Sequence, residues 1–402
     1  MDKMSRNLFL VKYLAAAAGC RFGLGIWVLY YLKFTSYAGI GLAEALMIVV
    51  AFVVEVPTGQ LADLLGRKNT LLCAFALFTT GFILIAMAPA YTTLLAGLLV
   101  FVLGRALYSG TFQALVYDSL QTIGQTGRYG YVLAQLQFWR LAALAVSCSV
   151  GGYAFTWWFR APYFLTVLAC FVGLVLTFFL SEPKLENSGD PGAKNNLWSL
   201  FKTICGQIFR DQLPRYMLVL AAVLVFCEEI LDDALAVTYG FEPQQLGLLF
   251  SGIYLLCALI ARSSAGWVSR QGHRKALIWL AAIAGATLCL SPWLGLVFGG
   301  ISIAVRYSVR TVWENVENEA VNQMTISAHR ATALSTYTML KSLPYVLFAF
   351  PLGAFLDQVG PQRVSWLFGG LLAIGLLLWY GQTAMGCRNV GTGEKGDGGI
   401  AD

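Results

Sequence analysis

The chain has 402 residues, of which 58% are hydrophobic and 12% charged, and its formal net charge is +6. Its mean hydropathy of +0.68 excludes an ordinary soluble protein, in which about 25% of the residues are charged. Apolar stretches of about 20 residues recur along the whole chain, and each is long enough to cross ~30 Å of hydrocarbon. The composition therefore indicates a polytopic membrane protein rather than two or three soluble domains.

Twelve transmembrane helices, numbered spans 1 to 12, are predicted from these stretches. They cover residues 9–32, 38–60, 69–90, 92–118, 131–154, 161–181, 214–238, 244–268, 275–294, 295–319, 331–355 and 364–385. The polar segment between spans 6 and 7 has the composition of a linker. We therefore predict an N-terminal six-helix half (1–181), a cytoplasmic linker (182–213), a C-terminal six-helix half (214–385) and a disordered cytoplasmic tail (386–402).

Lysine and arginine are distributed unevenly between the two sides of this topology. If both termini are cytoplasmic, the outer loops hold only Lys33, Arg160 and Arg363, and the inner segments hold most of the other bases. Basic residues accumulate on the cytoplasmic side of membrane proteins. We therefore expect an integral multi-pass protein of the cytoplasmic (inner) membrane with both termini inside.

The two halves repeat one another in sequence. The turn after span 2 reads Gly59-Gln-Leu-Ala-Asp63-Leu-Leu-Gly66-Arg67-Lys68, and the turn after span 8 reads Gly266-Trp-Val-Ser-Arg270-Gln-Gly272-His-Arg274-Lys275. In this alignment Arg270 stands where the first copy has Asp63. The stretch from Arg105 to Asp118 in span 4 likewise matches Arg306 to Glu319 in span 10. Repeated halves are typical of secondary transporters, whose binding site lies between the repeats at mid-membrane.

The first of these turns resembles the signature loop of major facilitator superfamily (MFS) transporters, whose pattern is G-x-L-a-D-r-x-G-R-K. The preceding Glu55-Val-Pro-Thr-Gly59 resembles a bacterial efflux-like branch of that superfamily. The resemblance implies an all-α integral membrane protein with 12 transmembrane helices in two pseudo-symmetric six-helix halves. It also implies a cytoplasmic gate, for which we predict Glu55, Gly59, Asp63, Gly66, Arg67, Lys68, Asp118 and Arg128.

Thirteen ionisable residues are placed well inside the predicted spans, most of them on spans 1, 4, 7 and 10. They are Arg21, Glu55, Arg105, Arg140, Glu228, Glu229, Asp232, Asp233, Arg306, Arg310, Glu314, Glu317 and Lys341. Each would cost ~3 kcal/mol if it faced lipid at mid-bilayer. We therefore expect these side chains to face a central cavity or one another.

Span 7 carries four acids in the run Cys227-Glu228-Glu229-Ile-Leu-Asp232-Asp233. Four like charges this close cannot all ionise without a large cost, so some of them are suited to exchanging a proton or holding a cation. The candidates for proton coupling or cation binding are Glu228, Glu229, Asp232, Asp233 and Glu314. Two alternatives stay open: the acids form structural ion pairs with Arg306 and Arg310, or span 7 ends earlier and they lie at the outer surface.

The substrate cavity is predicted from the remaining polar and aromatic residues of the inner spans. The candidates are Arg21, Tyr30, Arg105, Gln113, Tyr117, Arg140, Arg306, Arg310, Trp313 and Lys341. The arginines could hold an anionic head group, or they could pair with carboxylates of spans 7 and 10. Aromatic side chains at helical spacing serve packing more often than binding.

The sequence lacks a phosphate-binding loop, paired zinc ligands and a nucleophile elbow, so we expect neither an enzyme nor a metal or cofactor. We predict a secondary active transporter working by alternating access, which couples protons to the export of a small amphiphilic or cationic organic compound. The alternative within the class is proton-coupled uptake of an organic anion or metabolite. From another class, a non-transporting receptor stays open. The expected partners are a small molecule, protons and the bilayer, with no nucleic acid, and we expect a monomer.

Overall fold

The structure is a computed structural model that describes residues 3–183, 202, 205–206, 209, 212–324 and 330–391. These residues are helical throughout, apart from short turns, and they form the twelve predicted spans. Spans 1 to 6 are Lys3–Gly19 with its continuation Trp27–Tyr31, Tyr37–Leu65, Arg67–Ala86, Tyr91–Thr122, Tyr129–Trp157 and Ala161–Phe178. Spans 7 to 12 are Gln212–Phe226 with its continuation Asp232–Thr238, Pro243–Gln271, His273–Leu290, Leu296–Met324, Arg330–Val359 and Pro361–Gly391.

Several helices extend beyond the apolar stretches that predicted them, whereas spans 3, 6 and 9 end a few residues earlier than predicted. Hydropathy marks only the part of a helix that crosses the membrane core, whereas backbone hydrogen bonds continue into its polar ends. Span 12 thus runs to Gly391 although the tail was predicted to begin at 386. Residues 392–402, and most of the predicted linker 182–213, lie outside the described residues.

Ten of the helices in the described residues are long and apolar enough to cross a membrane by composition alone. Spans 7 and 10 fall outside this set. Span 7 is interrupted at Cys227–Leu231, and span 10 carries several charges. Both properties are expected of helices that line a polar interior rather than lipid.

The two halves pack against each other along two pairs of spans, span 5 with span 8 and span 2 with span 11. Glycines bring the backbones together there. A Cβ on Gly247 would lie 2.5 Å from the Cys148 carbonyl oxygen and 3.0 Å from the Gly152 Cα. On the other pair, Gly41 and Gly353 lie against the backbone of the partner span. Small residues permit such close approach of membrane helices.

The repeat seen in the sequence is also a repeat in conformation. The turns after spans 2 and 8 pass through Gly66 at φ 84° and Gly272 at φ 76°, a backbone region that favours glycine. Since these glycines are equivalent, Asp63 corresponds to Ser269, one residue before the Arg270 that the sequence alignment placed there. The end of the bundle that carries these turns is named the signature end, and the other end the opposite end.

Candidate substrate cavity

A cavity of about 600 Å³ lies between the two halves, near the middle of the spans. It falls in the usual size range of small-molecule sites. Both halves contribute charged side chains to it, namely Arg21, Glu44, Arg105, Arg140, Glu228, Glu229, Asp233, Arg310 and Glu314. Apolar and aromatic residues, among them Trp27, Phe101 and Leu144, form the rest of its wall.

Arg21 reaches the cavity because span 1 is broken between Gly19 and Leu24. The freed backbone N–H of Arg21 donates to the Ser147 hydroxyl at 3.1 Å, and that of Phe22 donates to the Thr166 hydroxyl at 3.1 Å. A break inside a membrane helix is tolerated when neighbouring helices satisfy its backbone groups in this way.

Span 7 is irregular at the corresponding place in the second half. A single π-helical turn, Cys227–Leu231, separates Gln212–Phe226 from Asp232–Thr238. Such turns are rare and occur mostly at functional sites. Interrupted helices at matching positions of two repeats mark the binding site in many transporters. The break in span 1 presents a base, Arg21, and the turn in span 7 presents two acids, Glu228 and Glu229.

Two of the span 7 acids form ion pairs with span 10. Asp232 Oδ1 accepts a hydrogen bond from Arg306 Nε at 2.6 Å, and both side chains are almost fully buried. Glu228 pairs with Arg310, whose Nη2 also lies 3.0 Å from Glu314 Oε1. The structure thus places these acids in the structural arrangement that the sequence left open as an alternative.

The other two span 7 acids, Glu229 and Asp233, line the cavity. Neither takes part in an ion pair between described residues. Trp27 lines the same cavity as Asp233. A buried guanidinium thus neutralises Asp232, whereas Glu229 and Asp233 lie on the cavity wall.

Glu44 of span 2 is a cavity residue that the sequence analysis missed. Span 2 packs against the π-helical turn of span 7, and the charges of Glu229 and Arg105 both act on the Glu44 carboxylate. The signal was present, because Glu44 interrupts the apolar run that begins at Tyr37. The tyrosines of the wall, Tyr31, Tyr163, Tyr254 and Tyr307, were missed as well, since a tyrosine in a membrane helix carries no marker of which way it faces.

A second cavity of about 360 Å³ lies within the C-terminal half, among spans 7, 10 and 11. It shares Glu228, Glu229, Arg310 and Glu314 with the central one. On its far side Glu317 accepts hydrogen bonds from Trp313 Nε1 at 2.6 Å, Tyr337 at 3.0 Å and Lys341 Nζ at 2.8 Å. Trp313 and Lys341 therefore lie here rather than on the wall of the central cavity.

Three further predicted cavity residues lie away from that wall. Tyr30 is buried in packing, where its hydroxyl donates to the Ile85 carbonyl at 2.7 Å. Gln113 and Tyr117 continue the face of Arg105 along span 4 towards the signature end, and both are exposed. Of the remaining candidates, Arg105, Arg140 and Arg310 line the cavity, and Arg306 is buried against Asp232.

The described gate residues bind spans of their own half. Arg67 Nε lies 3.2 Å from Asp118 Oδ2 at the end of span 4, and Lys68 Nζ donates to the Phe178 carbonyl at 2.7 Å. Glu182 caps span 3 by accepting the backbone N–H groups of Arg67 and Lys68 at 2.6 and 2.8 Å. Arg128 is an exposed residue that bonds Gln125. The side chains of Glu55 and Asp63, and the surroundings of Gly59, lie outside what the structure describes.

The sequence profile of the Major Facilitator Superfamily matches residues 10–312. The chain belongs to this superfamily. Comparison with the sequences of curated proteins gives no match.

Solved structures of MFS transporters share the fold along almost the whole chain. The nucleoside transporter NupG has a TM-score of 0.75 at 15% identity, over 95% of this chain and 99% of that chain. A D-xylose-proton symporter has a TM-score of 0.69 at 12% identity, over 94% and 97%. A peptide transporter POT in complex with sulfate has a TM-score of 0.68 at 14% identity, over 96% and 95%. Because the chain belongs to the Major Facilitator Superfamily, the protein is a multi-pass secondary transporter.

The two ends of this MFS fold differ in how the halves meet. At the opposite end Gly152 packs on Gly247, and Asp357 of span 11 accepts the backbone N–H groups of Tyr37 and Ala38 at 2.9 and 3.0 Å. Towards the signature end, span 4 shows an accessible stripe at four-residue spacing, formed by Arg105, Ser109, Gln113 and Tyr117. A stripe this polar does not face lipid. The halves are thus in close contact at the opposite end, and the accessible stripe of span 4 leads from the cavity towards the signature end.

Among the described residues, no group of three or more His, Cys, Asp or Glu side chains is arranged to hold a metal ion. The cavity offers charged, hydroxyl and aromatic groups instead. Such groups bind an organic molecule through ion pairs, hydrogen bonds and ring contacts.

Proposed function

We propose that this MFS protein is a proton-coupled exporter of a small organic compound that carries a cationic group. The observation that carries the proposal is the pair Glu229 and Asp233, which line the cavity outside the ion pairs of the described residues. An ionised carboxylate attracts a cation, and a protonated one does not. Substrate and proton therefore compete for the same groups, which is the requirement for exchanging one for the other.

The aromatic part of the wall supports the cationic character of the substrate. Trp27 and Tyr31 from span 1 and Tyr254 and Tyr307 from the second half surround the acids. Faces of such rings attract organic cations, with about 0.5–2 kcal/mol per contact. Their apolar surface also suits the amphiphilic body of the compound.

We propose export because the accessible stripe of span 4 leads from the cavity towards the signature end. The positive-inside distribution of lysine and arginine assigns the signature end and both termini to the cytoplasm. In this orientation the cavity would load its substrate from the cytoplasm, and the protein would lie in the cytoplasmic (inner) membrane of a cell. On the outer side, protons would bind the two carboxylates and release the cation, and the transporter could then return to its starting state. We expect one chain to suffice, because both halves of the site lie on it.

Uptake of an organic anion is the second candidate. It is favoured by Arg21, Arg105 and Arg140, which line the cavity from the first half. In that case protonation of Glu229 and Asp233 would reduce repulsion of the anion, and proton and substrate would move together.

Proteoliposomes loaded with a pH indicator separate these proposals. A panel of organic cations and anions is added to vesicles containing the purified protein. Export by exchange predicts proton movement opposite to the cation, and uptake predicts proton movement with the anion. Glu229→Gln should abolish the signal, whereas Glu242→Gln, in the loop before span 8, should retain it. Binding of a compound without any flux would identify a receptor and contradict both proposals.

A further inference from the structure

The charges that line the central cavity are divided between the halves. The N-terminal half contributes Arg21, Arg105 and Arg140 with one acid, Glu44. The C-terminal half contributes one base and four acids, which are Arg310, Glu228, Glu229, Asp233 and Glu314. One wall of the cavity is therefore predominantly basic and the facing wall predominantly acidic.

Internal pairing sharpens this division on the acidic side. Arg310 is engaged by Glu228 and Glu314 of its own half. The acids of the second half that face the cavity without such an ion pair are Glu229 and Asp233. The acidic wall therefore keeps a net negative charge directed at the cavity.

On the basic side, two arginines are held by neutral groups. The Arg21 guanidinium lies 4.9 Å from the centroid of the Phe101 ring, and Arg140 Nε donates to Gln137 Oε1 at 2.7 Å. These contacts orient the guanidinium groups without neutralising them. Each keeps further N–H donors, because a guanidinium has five.

The ion pairs between described residues all lie within one half. Arg67–Asp118 belongs to the first half, and the others belong to the second half: Arg306–Asp232, Arg310–Glu228, Arg310–Glu314 and Lys341–Glu317. The contact between His273 and Glu319, an ion pair only when the histidine is protonated, also lies within the second half. In this conformation the basic and acidic walls are thus not joined by a direct ion pair among these residues.

We infer that the substrate is dipolar, with an anionic group held by the arginines of the first half and a cationic group held by Glu229 and Asp233 of the second half. This inference rests on the proposed transport function, because it names the substrate class of the same cavity. The cavity volume and the rings of Trp27, Tyr163 and Tyr254 accommodate an organic body between the two charges.

The arrangement also explains how such a substrate would drive the transport cycle. A ligand shifts a conformational equilibrium only if it binds the two states with different affinities. A singly charged compound interacts mainly with one wall, and that wall moves with its own half. A dipolar compound connects both halves and interacts most strongly when they approach each other. Its binding therefore favours closure at the signature end.

The test compares three probes that share a benzene ring, on the full chain purified in detergent. These are para-aminomethylbenzoate, which is dipolar, benzylamine, which has only the cationic group, and benzoate, which has only the anionic one. A series of ω-amino acids of increasing chain length covers other charge separations. Isothermal titration calorimetry should give the best dipolar probe an affinity about tenfold or more above either singly charged probe.

Two variants assign the two ends of the probe. In Arg140→Gln the affinity for the dipolar probe should fall to about that of benzylamine, while benzylamine binding stays unchanged. In Asp233→Asn it should fall to about that of benzoate. Arg140→Lys, which keeps the charge, should restore most of the dipolar affinity. Arg363→Gln, an exposed substitution at the start of span 12, serves as the control.

The inference is overturned if benzylamine or benzoate binds as tightly as every dipolar probe, or if none of the dipolar probes binds. The wild-type comparison decides this even where a variant fails to fold. Dipolar binding without any proton-coupled flux would leave the inference standing and contradict the proposed function. Proton-coupled flux of a singly charged cation, with no dipolar probe bound, would support the proposed function and contradict the inference.

Discussion

Gly152 of span 5 and Gly247 of span 8 lie in backbone contact across the two halves. A Cβ on Gly152 would lie 3.1 Å from the Gly247 Cα, and a Cβ on Gly247 would lie 3.0 Å from the Gly152 Cα. Both residues are near the opposite end of their spans. Because the accessible stripe of span 4 leads to the other end, this contact is a structural element that holds the observed state closed on one side.

A larger side chain at this contact should separate the two halves at the opposite end. Gly247→Val adds a side chain where no space exists, and overpacking of this kind costs about 1–3 kcal/mol in the state that contains the contact. The equilibrium should therefore shift towards the state that is open at the opposite end. Distances between spin labels at that end, measured by pulsed electron paramagnetic resonance, should increase.

Gly252→Val is the matched control, because Gly252 lies on the same span and has no atom within 4 Å of a Cβ. Its distance distribution should stay that of the wild type. Equal distributions in Gly247→Val and wild type would show that the contact does not hold this end closed.

Asp357 should hold the same end closed through electrostatics. Its carboxylate caps span 2 from the other half and accepts two backbone N–H groups. Loss of a helix cap costs about 0.5–2 kcal/mol, and Asp357→Asn removes the charge and one acceptor. The variant should shift the label distances in the direction of Gly247→Val, but by a smaller amount.

The comparison variant for this cap is Glu182→Gln. Glu182 caps span 3 within a single half, so its loss should lower thermal stability by a similar amount and leave the label distances unchanged. If both variants shift the distances equally, the cap of Asp357 has no special part in joining the halves.

Substitutions at Asp232 and Glu229, three residues apart on span 7, should distinguish a residue that stabilises the protein from one that couples protons. Asp232→Asn leaves Arg306 without its buried counter-charge, and breaking one side of a buried ion pair costs about 3–5 kcal/mol. Its melting temperature in detergent should therefore fall markedly. Glu229→Gln removes no ion pair of the described residues and should melt close to the wild type. A larger loss of stability in Glu229→Gln than in Asp232→Asn would contradict this division.

Lys341 should stabilise the C-terminal half only as the partner of Glu317. Lys341→Met leaves the almost fully buried Glu317 carboxylate with the Trp313 and Tyr337 donors alone. The melting temperature should fall. In the double variant Lys341→Met/Glu317→Gln part of the loss should be recovered, because no buried charge is left unpaired. If the loss in the double variant equals the sum of the losses in the two single variants, Lys341 and Glu317 are not coupled.

The fold could be predicted from the sequence because it depends on coarse properties. Apolar length set the spans, and the placement of lysine and arginine set the topology. The exclusion of charge from lipid brought Arg21, Arg105 and Glu229 towards one interior. These are averages over many residues, and an error at one position does not change them.

The division of roles among the span 7 acids could not be predicted, because it depends on local geometry. A regular helix would have stacked Glu228 on Asp232 and Glu229 on Asp233. The π-helical turn changes the direction of the side chains, and no pattern in the sequence announces it. The break at Arg21 was hidden for the same reason, since the run before it is alanine-rich and apolar. Glu44 lies near the start of span 2, where a charge does not mark a helix as lining a polar interior.

The central claim is that Glu229 and Asp233 couple protons to transport through the central cavity. The most direct measurement compares gradient-driven transport with counterflow in proteoliposomes that contain the double variant Glu229→Gln/Asp233→Asn. Counterflow needs alternating access but no net proton movement, so a substrate that still binds should exchange across the membrane. Accumulation driven by a pH gradient should be lost. Accumulation equal to that of the wild type, with the same dependence on pH, would contradict the account.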